Sequence, residues 1–111
     1  MSGYFELKAA GRQFMWNLKA ANHEVIVTSE LYKTHEGALN GIAATKKTVS
    51  DDKHYDRRAS KDGQFYFVLL AANGQSVGKS ELYKTRAALE NGIASVKKHA
   101  PLALFKDLSE S

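Results

Sequence analysis

Phe14, Trp16 and Leu18 alternate with Met15, Asn17 and Lys19, the period-two pattern of a strand with one buried face. Phe65, Phe67 and Leu69 repeat the pattern further along, interleaved with Tyr66, Val68 and Leu70. A short second run follows each of these, Glu24 to Thr28 after Asn22-His23 and Gln75 to Lys79 after Asn73-Gly74, so both stretches predict hairpins. A two-residue loop would set Leu18 opposite Val27 and leave Ile26 and Val77 on the face away from the large aromatics. A three-residue loop with a bulge brings Ile26 beside Leu18 and Val77 beside Leu69. It is preferred because those two are the apolar pair common to both second strands. Its last position asks for a left-handed residue, which Gly74 supplies and His23 tolerates.

The period then changes. Leu89, Ile93, Val96 and Ala100 follow one another at spacings of four, three and four, one buried stripe of a helix, and Ala38, Ile42, Thr45 and Val49 reproduce it. Thr34 and Thr85 stand where N-caps belong, predicting helices near 35–48 and 86–99. Gly41 and Gly92 lie inside these helices, where glycine costs roughly 1 kcal/mol relative to alanine. Their presence in both points to a close approach of helix backbone to the sheet. A further strand precedes each hairpin, Tyr4 to Lys8 and Tyr55 to Ala59, and the polar Tyr55-Asp56-Arg57-Arg58-Ala59 reads as an edge strand guarded by charge. Ser50 to His54 is a connector. After Pro101, Leu102-Ala103-Leu104-Phe105 predicts a last strand packed on the core, before Ser109-Glu110-Ser111 frays.

The two halves are copies of one unit. Ser29-Glu30-Leu31-Tyr32-Lys33-Thr34 returns as Ser80-Glu81-Leu82-Tyr83-Lys84-Thr85, a shift of 51 positions from Ser29 to Ser80. The same shift carries Ala20-Ala21-Asn22 onto Ala71-Ala72-Asn73 and Asn40-Gly41-Ile42-Ala43 onto Asn91-Gly92-Ile93-Ala94. A unit of roughly 50 residues has a marginal core by itself, so the copies should share one. The expected fold is α+β: two tandem β-β-β-α(-β) repeats, 3–50 and 54–101, sharing one mainly antiparallel sheet with two helices on one face. A C-terminal strand at 102–106 completes a single domain over 1–111.

Composition narrows the chemistry. The chain has no cysteine, which removes disulfides, thiol nucleophiles and thiolate metal sites. The start of the chain lacks signal-peptide regions and no apolar run is long enough to span a bilayer, so the expectation is a cytoplasmic protein with no membrane partner. The net charge of +4 makes only a modest field. Lys46, Lys47, Lys97, Lys98 and His99 fall at helix C-termini, where they complement the macrodipole. The four histidines align with unlike residues in the other copy, His23 with Gly74 and His35 with Arg86 among them. A duplicated histidine site is thereby disfavoured, and no spacing resembles a zinc motif. No phosphate loop or nucleophile elbow is present. The expectation is a protein that is not an enzyme, with no catalytic, cofactor-binding or metal-binding residue.

Leu18-Lys19-Ala20-Ala21-Asn22, Thr28-Ser29-Glu30 with Tyr32, and Asn40-Gly41-Ile42 ahead of Lys46-Lys47, together with their second-copy counterparts, resemble the YegP-like family of small bacterial proteins of unknown function. The resemblance covers nearly the full chain. It implies units of three strands, a helix and a further strand, with C-terminal strands exchanged between units. A protective, stress-related role has been suggested for such proteins, and the resemblance supplies no reaction, cofactor or partner. His23 in place of the family's turn glycine marks the first copy as the more drifted, so a site is better sought in the second.

Two sets of residues are candidates for interaction. Glu30, Tyr32, Glu81 and Tyr83 repeat at the sheet-helix junctions, where they either shape the loops or line two pseudo-symmetric recognition sites. Tyr66, Val68 and Leu70, with Met15, Val25 and Val27, make the face away from the helices more apolar than solvent requires, a mark of a partner surface. The leading reading is a non-enzymatic protein-interaction module acting on an unknown protein partner or on itself. The alternatives are weak nucleic-acid binding through the basic helix ends and small-ligand binding at the sheet-helix junctions.

Overall fold

The computed structural model describes residues 3–109, so the expected fraying at 110–111 lies outside the described residues. The alternating runs form seven strands: β1 (Tyr4–Ala10), β2 (Gln13–Lys19), β3 (Val25–Ser29), β4 (Tyr55–Ala59), β5 (Phe65–Leu70), β6 (Ser76–Ser80) and β7 (Leu104–Asp107). The 3.6-period runs form α1 (His35–Thr48) and α2 (Arg86–His99). The strands make one sheet in the order β4-β5-β6-β3-β2-β1-β7. Every pairing is antiparallel except that of β7 with β1. Thr34 and Thr85 cap the helices by accepting from the amides of Gly37 and Ala88 at 2.9 and 3.0 Å, as Ncap threonines do.

The two units meet where β3 pairs with β6, Val27 with Ser80, Thr28 with Lys79 and Ser29 with Gly78. Thr28 and Lys79 are themselves related by the repeat, so a pseudo-twofold axis passes between them. Beneath, both helices bury their stripes in a single core that runs through Phe5, Trp16, Leu18, Phe67 and Leu69. Trp16 and Phe67 occupy equivalent positions and are wholly buried.

The hairpin turns have three residues, as expected, with His23 at φ 71° and Gly74 at φ 85°. The bulge, however, lies one step into the strand. Lys19 pairs with Val25 and Leu18 with Val27, which leaves Ile26 as the extra residue; Val77 is its counterpart in the second copy. A bulge sets two residues against one, so Ile26 and Val27 both enter the core. Val27 therefore does not belong to the open face of the sheet.

Two further expectations change. Phe5 and Tyr55 both sit opposite the repeat-related Leu18 and Leu69, a shift of 50 rather than 51, because the β4–β5 turn is one residue longer than the β1–β2 turn. The expected strand at 102–106 begins later, at Leu104, since Pro101 directs Ala100–Leu102 into a 3-10 turn. Of the run Leu102 to Phe105 only Ala103 is buried; Leu104 and Phe105 stay exposed at the sheet edge. The implied strand exchange runs one way. β7 crosses to the first unit, while after α1 the chain passes through a 3-10 turn (Asp52–His54) straight into β4. β4 is thus an edge strand, as its charge suggested.

β7 is held at its end by polar contacts. Asp107 accepts from Ser109 and pairs with His35 Nε2 at 2.7 Å, and these contacts depress its carboxyl to about 2. A carboxylate depressed in the fold adds stability that is present above its unfolded pKa and is lost as pH falls through the folded value. The urea midpoint of the natural chain should therefore pull ahead of that of Asp107→Asn as pH rises from about 2 to about 4. A midpoint difference that is the same at both pH values would contradict this account. Truncating Trp16 or Phe67 to alanine should cost about 3–5 kcal/mol in denaturant melts, the range for large buried aromatics.

Candidate functional site

The repeated hexapeptide contains positions that the fold uses and positions that it leaves over. Ser29 Oγ accepts from the Trp16 amide at 2.8 Å and donates to the Glu30 carbonyl at 2.7 Å. Ser80 does the same for Phe67 and Glu81. Tyr32 and Tyr83 exchange backbone hydrogen bonds with Phe14 and Phe65, which sends each ring under the helix that follows. There the interior glycines are needed. A β-carbon on Gly41 or Gly92 would come within 2.6 Å of Cζ of Tyr32 or Tyr83, far inside contact distance. The threonine caps the helix. The glutamate, leucine and lysine face outward, and Leu31 and Leu82 are 57% and 54% exposed.

Burial raises the pKa of both tyrosines. At Tyr83 the Glu81 carboxylate adds to the shift; at Tyr32 the Trp16 indole N–H opposes it and Glu30 adds to it. The Tyr32 hydroxyl and Trp16 Nε1, both packed beneath Gly41, have no partner at hydrogen-bonding geometry among the described residues.

Glu81 and Tyr83 line an open cleft of about 690 Å³ between α2 and the end of the first hairpin. Asn91 and Gly92 form its helical wall, and Asn22 and Glu24 reach in from the other copy. Two of these, Asn22 and Asn91, were visible in the sequence as repeated asparagines but not as members of one site, because only the pseudo-twofold packing puts the first hairpin beside the second helix. At the equivalent place beside Tyr32 the Glu30 carboxylate is engaged. There Ser76 Oγ donates to Glu30 Oε2 at 3.0 Å. Val25 occupies the position of Ser76 in the open cleft and has no donor to offer, so the Glu81 carboxylate has no hydrogen bond or ion pair among the described residues.

The other candidates are placed differently. Val68 is only 6% exposed, set between Asp56 and Lys79 on the neighbouring strands. Tyr66 and Leu70 are half-buried, as are Met15 and Val25. This face is made up largely of polar side chains, among them the Glu6–Lys19 ion pair at 3.0 Å and the Asn17–Thr28 hydrogen bond at 3.0 Å. Of the basic helix ends, Lys46 is engaged by the Ala103 carbonyl and Lys97 by Asp52.

Residues 9–56 and 60–107 each match the family model described as Domain of unknown function (DUF1508). A UPF0339 protein of Bordetella pertussis is 55% identical over 111 residues, 100% of both chains. The UPF0339 protein YegP of Escherichia coli K12 is 43% identical over 108 residues, 96% of this chain and 98% of that one. The solution NMR structure of YegP, described as a protein of unknown function, superposes with a TM-score of 0.93 at 42% identity, covering 100% of this chain and 97% of its own. That of a UPF0339 protein from Shewanella oneidensis gives 0.92 at 42% identity, covering 98% and 93%. The tandem fold implied by the resemblance is the fold of these relatives, and their names assign no reaction, ligand or partner.

The fit of tyrosine under glycine gives a signed test. Gly92→Ala should destabilise by about 1–3 kcal/mol, as overpacking does, despite the better helix propensity of alanine. In a Tyr83→Ala background the same change should instead stabilise. Urea melts of the four proteins decide it.

Proposed function

We propose a binding function without catalytic turnover for this chain, which belongs to the DUF1508 family: the cleft beside α2 receives a small organic cation that also offers hydrogen-bonding groups. The observation that carries the reading is the Glu81 carboxylate, without a partner among the described residues, in a cleft with Tyr83, Asn91 and Asn22, where its twin Glu30 is engaged by Ser76. The cleft volume of about 690 Å³ lies within the range of small-molecule sites. Two carboxylates, Glu81 and Glu24, favour positive charge there. The Tyr83 hydroxyl, with its pKa raised by burial, stays protonated and acts as a hydrogen-bond donor rather than as a base. The reading sets this activity in the cytoplasm, where a cysteine-free chain is indifferent to the reducing milieu.

This choice favours small-ligand binding over a protein surface on the open face, since Val68 is buried and its neighbours are half-covered. It also ranks above nucleic-acid binding, because two of the basic groups at the helix ends, Lys46 and Lys97, are engaged within the chain, which leaves chiefly Lys47 and Lys98 to meet phosphate.

Arginine, choline and spermidine, titrated singly into ¹⁵N-labelled protein, should include at least one that shifts the amides of Asn22, Glu81, Asn91 and Gly92 saturably. Glu81→Gln should weaken that binding about tenfold, the loss of one charge-assisted contact, whereas Glu30→Gln should leave it unchanged. Absence of any cleft response at millimolar probe rejects the proposal.

A further inference from the structure

The pseudo-symmetry allows the two outer edges of the sheet to be compared residue by residue. At the first edge, β7 lies parallel to β1, with the Leu104 amide donating to the Gly3 carbonyl at 3.1 Å and the Leu108 amide to the Leu7 carbonyl at 2.8 Å. Helix α1 clamps this strand from its flank. Lys46 Nζ, over the Phe5 ring, donates to the Ala103 carbonyl at 3.3 Å. His35, set edge-on against the Phe14 ring, pairs with Asp107 at 2.7 Å.

The second edge has the same parts but no added strand. Tyr55 stands in the place of Phe5 and Arg57 in that of Leu7. Lys97, the twin of Lys46, lies over the Tyr55 ring, and the Asp52 carboxylate at 2.9 Å takes the role that the Ala103 carbonyl has at the first edge. Arg86, the twin of His35, lies over the Phe65 ring, the twin of Phe14. Among the described residues it has no carboxylate partner. A hollow of about 380 Å³ opens there, lined by Arg57, Ala59, Phe65, Arg86 and Leu89. It corresponds to the position that Asp107 fills at the first edge. Glu90 also borders it, but both its carboxylate oxygens are taken by Arg57.

We propose that the free edge of β4 and the flank of α2 form a docking slot for an extended segment of a partner protein that carries an Asp or Glu residue. The segment lies parallel to β4 along Tyr55 to Arg57, the register that β7 keeps on Phe5 to Leu7, and places the Asp or Glu carboxylate at Arg86. Two observations select this occupant. The chain's own β7 shows what the equivalent slot accepts: an extended segment carrying an acid where the helix presents its cation. The one cation at the empty slot without an acidic partner is at that same position, and arginine suits a carboxylate better than the histidine it replaces because it is always charged and can bind both oxygens. Addition of a strand to an exposed edge is an established mode of peptide recognition. Because Asp52 already holds Lys97 as the Ala103 carbonyl holds Lys46, the docked segment begins at the counterpart of Leu104.

The test uses the full chain, ¹⁵N-labelled, and a synthetic peptide with the sequence of Leu104 to Leu108, the segment that fits the equivalent slot. Saturable shifts are expected at Tyr55, Arg57, Phe65 and Arg86. Arg86→Ala in the protein, or Asp→Asn in the peptide, should weaken binding about tenfold, the loss of a charge-assisted hydrogen bond. Arg86→Lys should fall between. Arg86 is exposed, so its variants should melt as the natural chain does. No response at millimolar peptide, equal binding by Arg86→Ala, or shifts confined to β1 and His35 would each overturn the proposal, the last by showing replacement of β7 in its own slot.

Discussion

Three residue pairs between β3 and β6 turn two marginal units into one sheet, and the rest of the structure depends on that seam. Its geometry constrains the side chains on it. Where the first copy has Val27, the second has Gly78, whose β-carbon would lie 2.8 Å from the Thr28 carbonyl and 3.0 Å from the Val27 side chain. A pseudo-twofold axis places related residues near one another, so a large residue in one copy is accommodated by a small one in its twin. A side chain at Gly78 is therefore sterically disfavoured while Val27 is in place.

Helix positions, caps, the three-residue turns and the equivalence of Trp16 and Phe67 could all be read from the chain, because each follows from spacing within one unit. What could not be read depends on contacts between units. The bulge that brings Val27 into the core is a choice of register against Leu18, and both registers satisfied the alternation. The extra residue in the β4–β5 turn was hidden because Tyr4 and Tyr55 coincide at the wrong shift. The exposure of Leu104 and Phe105 follows from β7 lying at an edge, which their apolar character did not reveal. At the cleft, the Glu81 and Tyr83 signal was present in the repeat. The engagement of the twin Glu30 depends on a single difference, Ser76 against Val25, that becomes meaningful only when the second hairpin is seen beside the first unit's glutamate.

Function in such a fold is best sought where the copies differ. Repeated residues such as Ser29 and Ser80, Thr34 and Thr85, or Gly41 and Gly92 hold each unit together, and their repetition is explained by that duty. The differences leave groups over: a carboxylate without its serine at the cleft, an arginine without its acid at the β4 edge. Both lie in the second copy.

The parallel pairing of β7 with β1 joins segments separated by almost the whole chain, and this has a consequence for synthesis. Loop closure on that scale comes late. Until the C-terminal segment has been made, neither the outer edge of β1 nor the His35 and Lys46 side chains have the partners that β7 supplies. Any fold reached before then leaves that edge open, and open edges are prone to pair with other chains. The exposed β7 is what ends that exposure, acting less as part of the core than as a closure applied late.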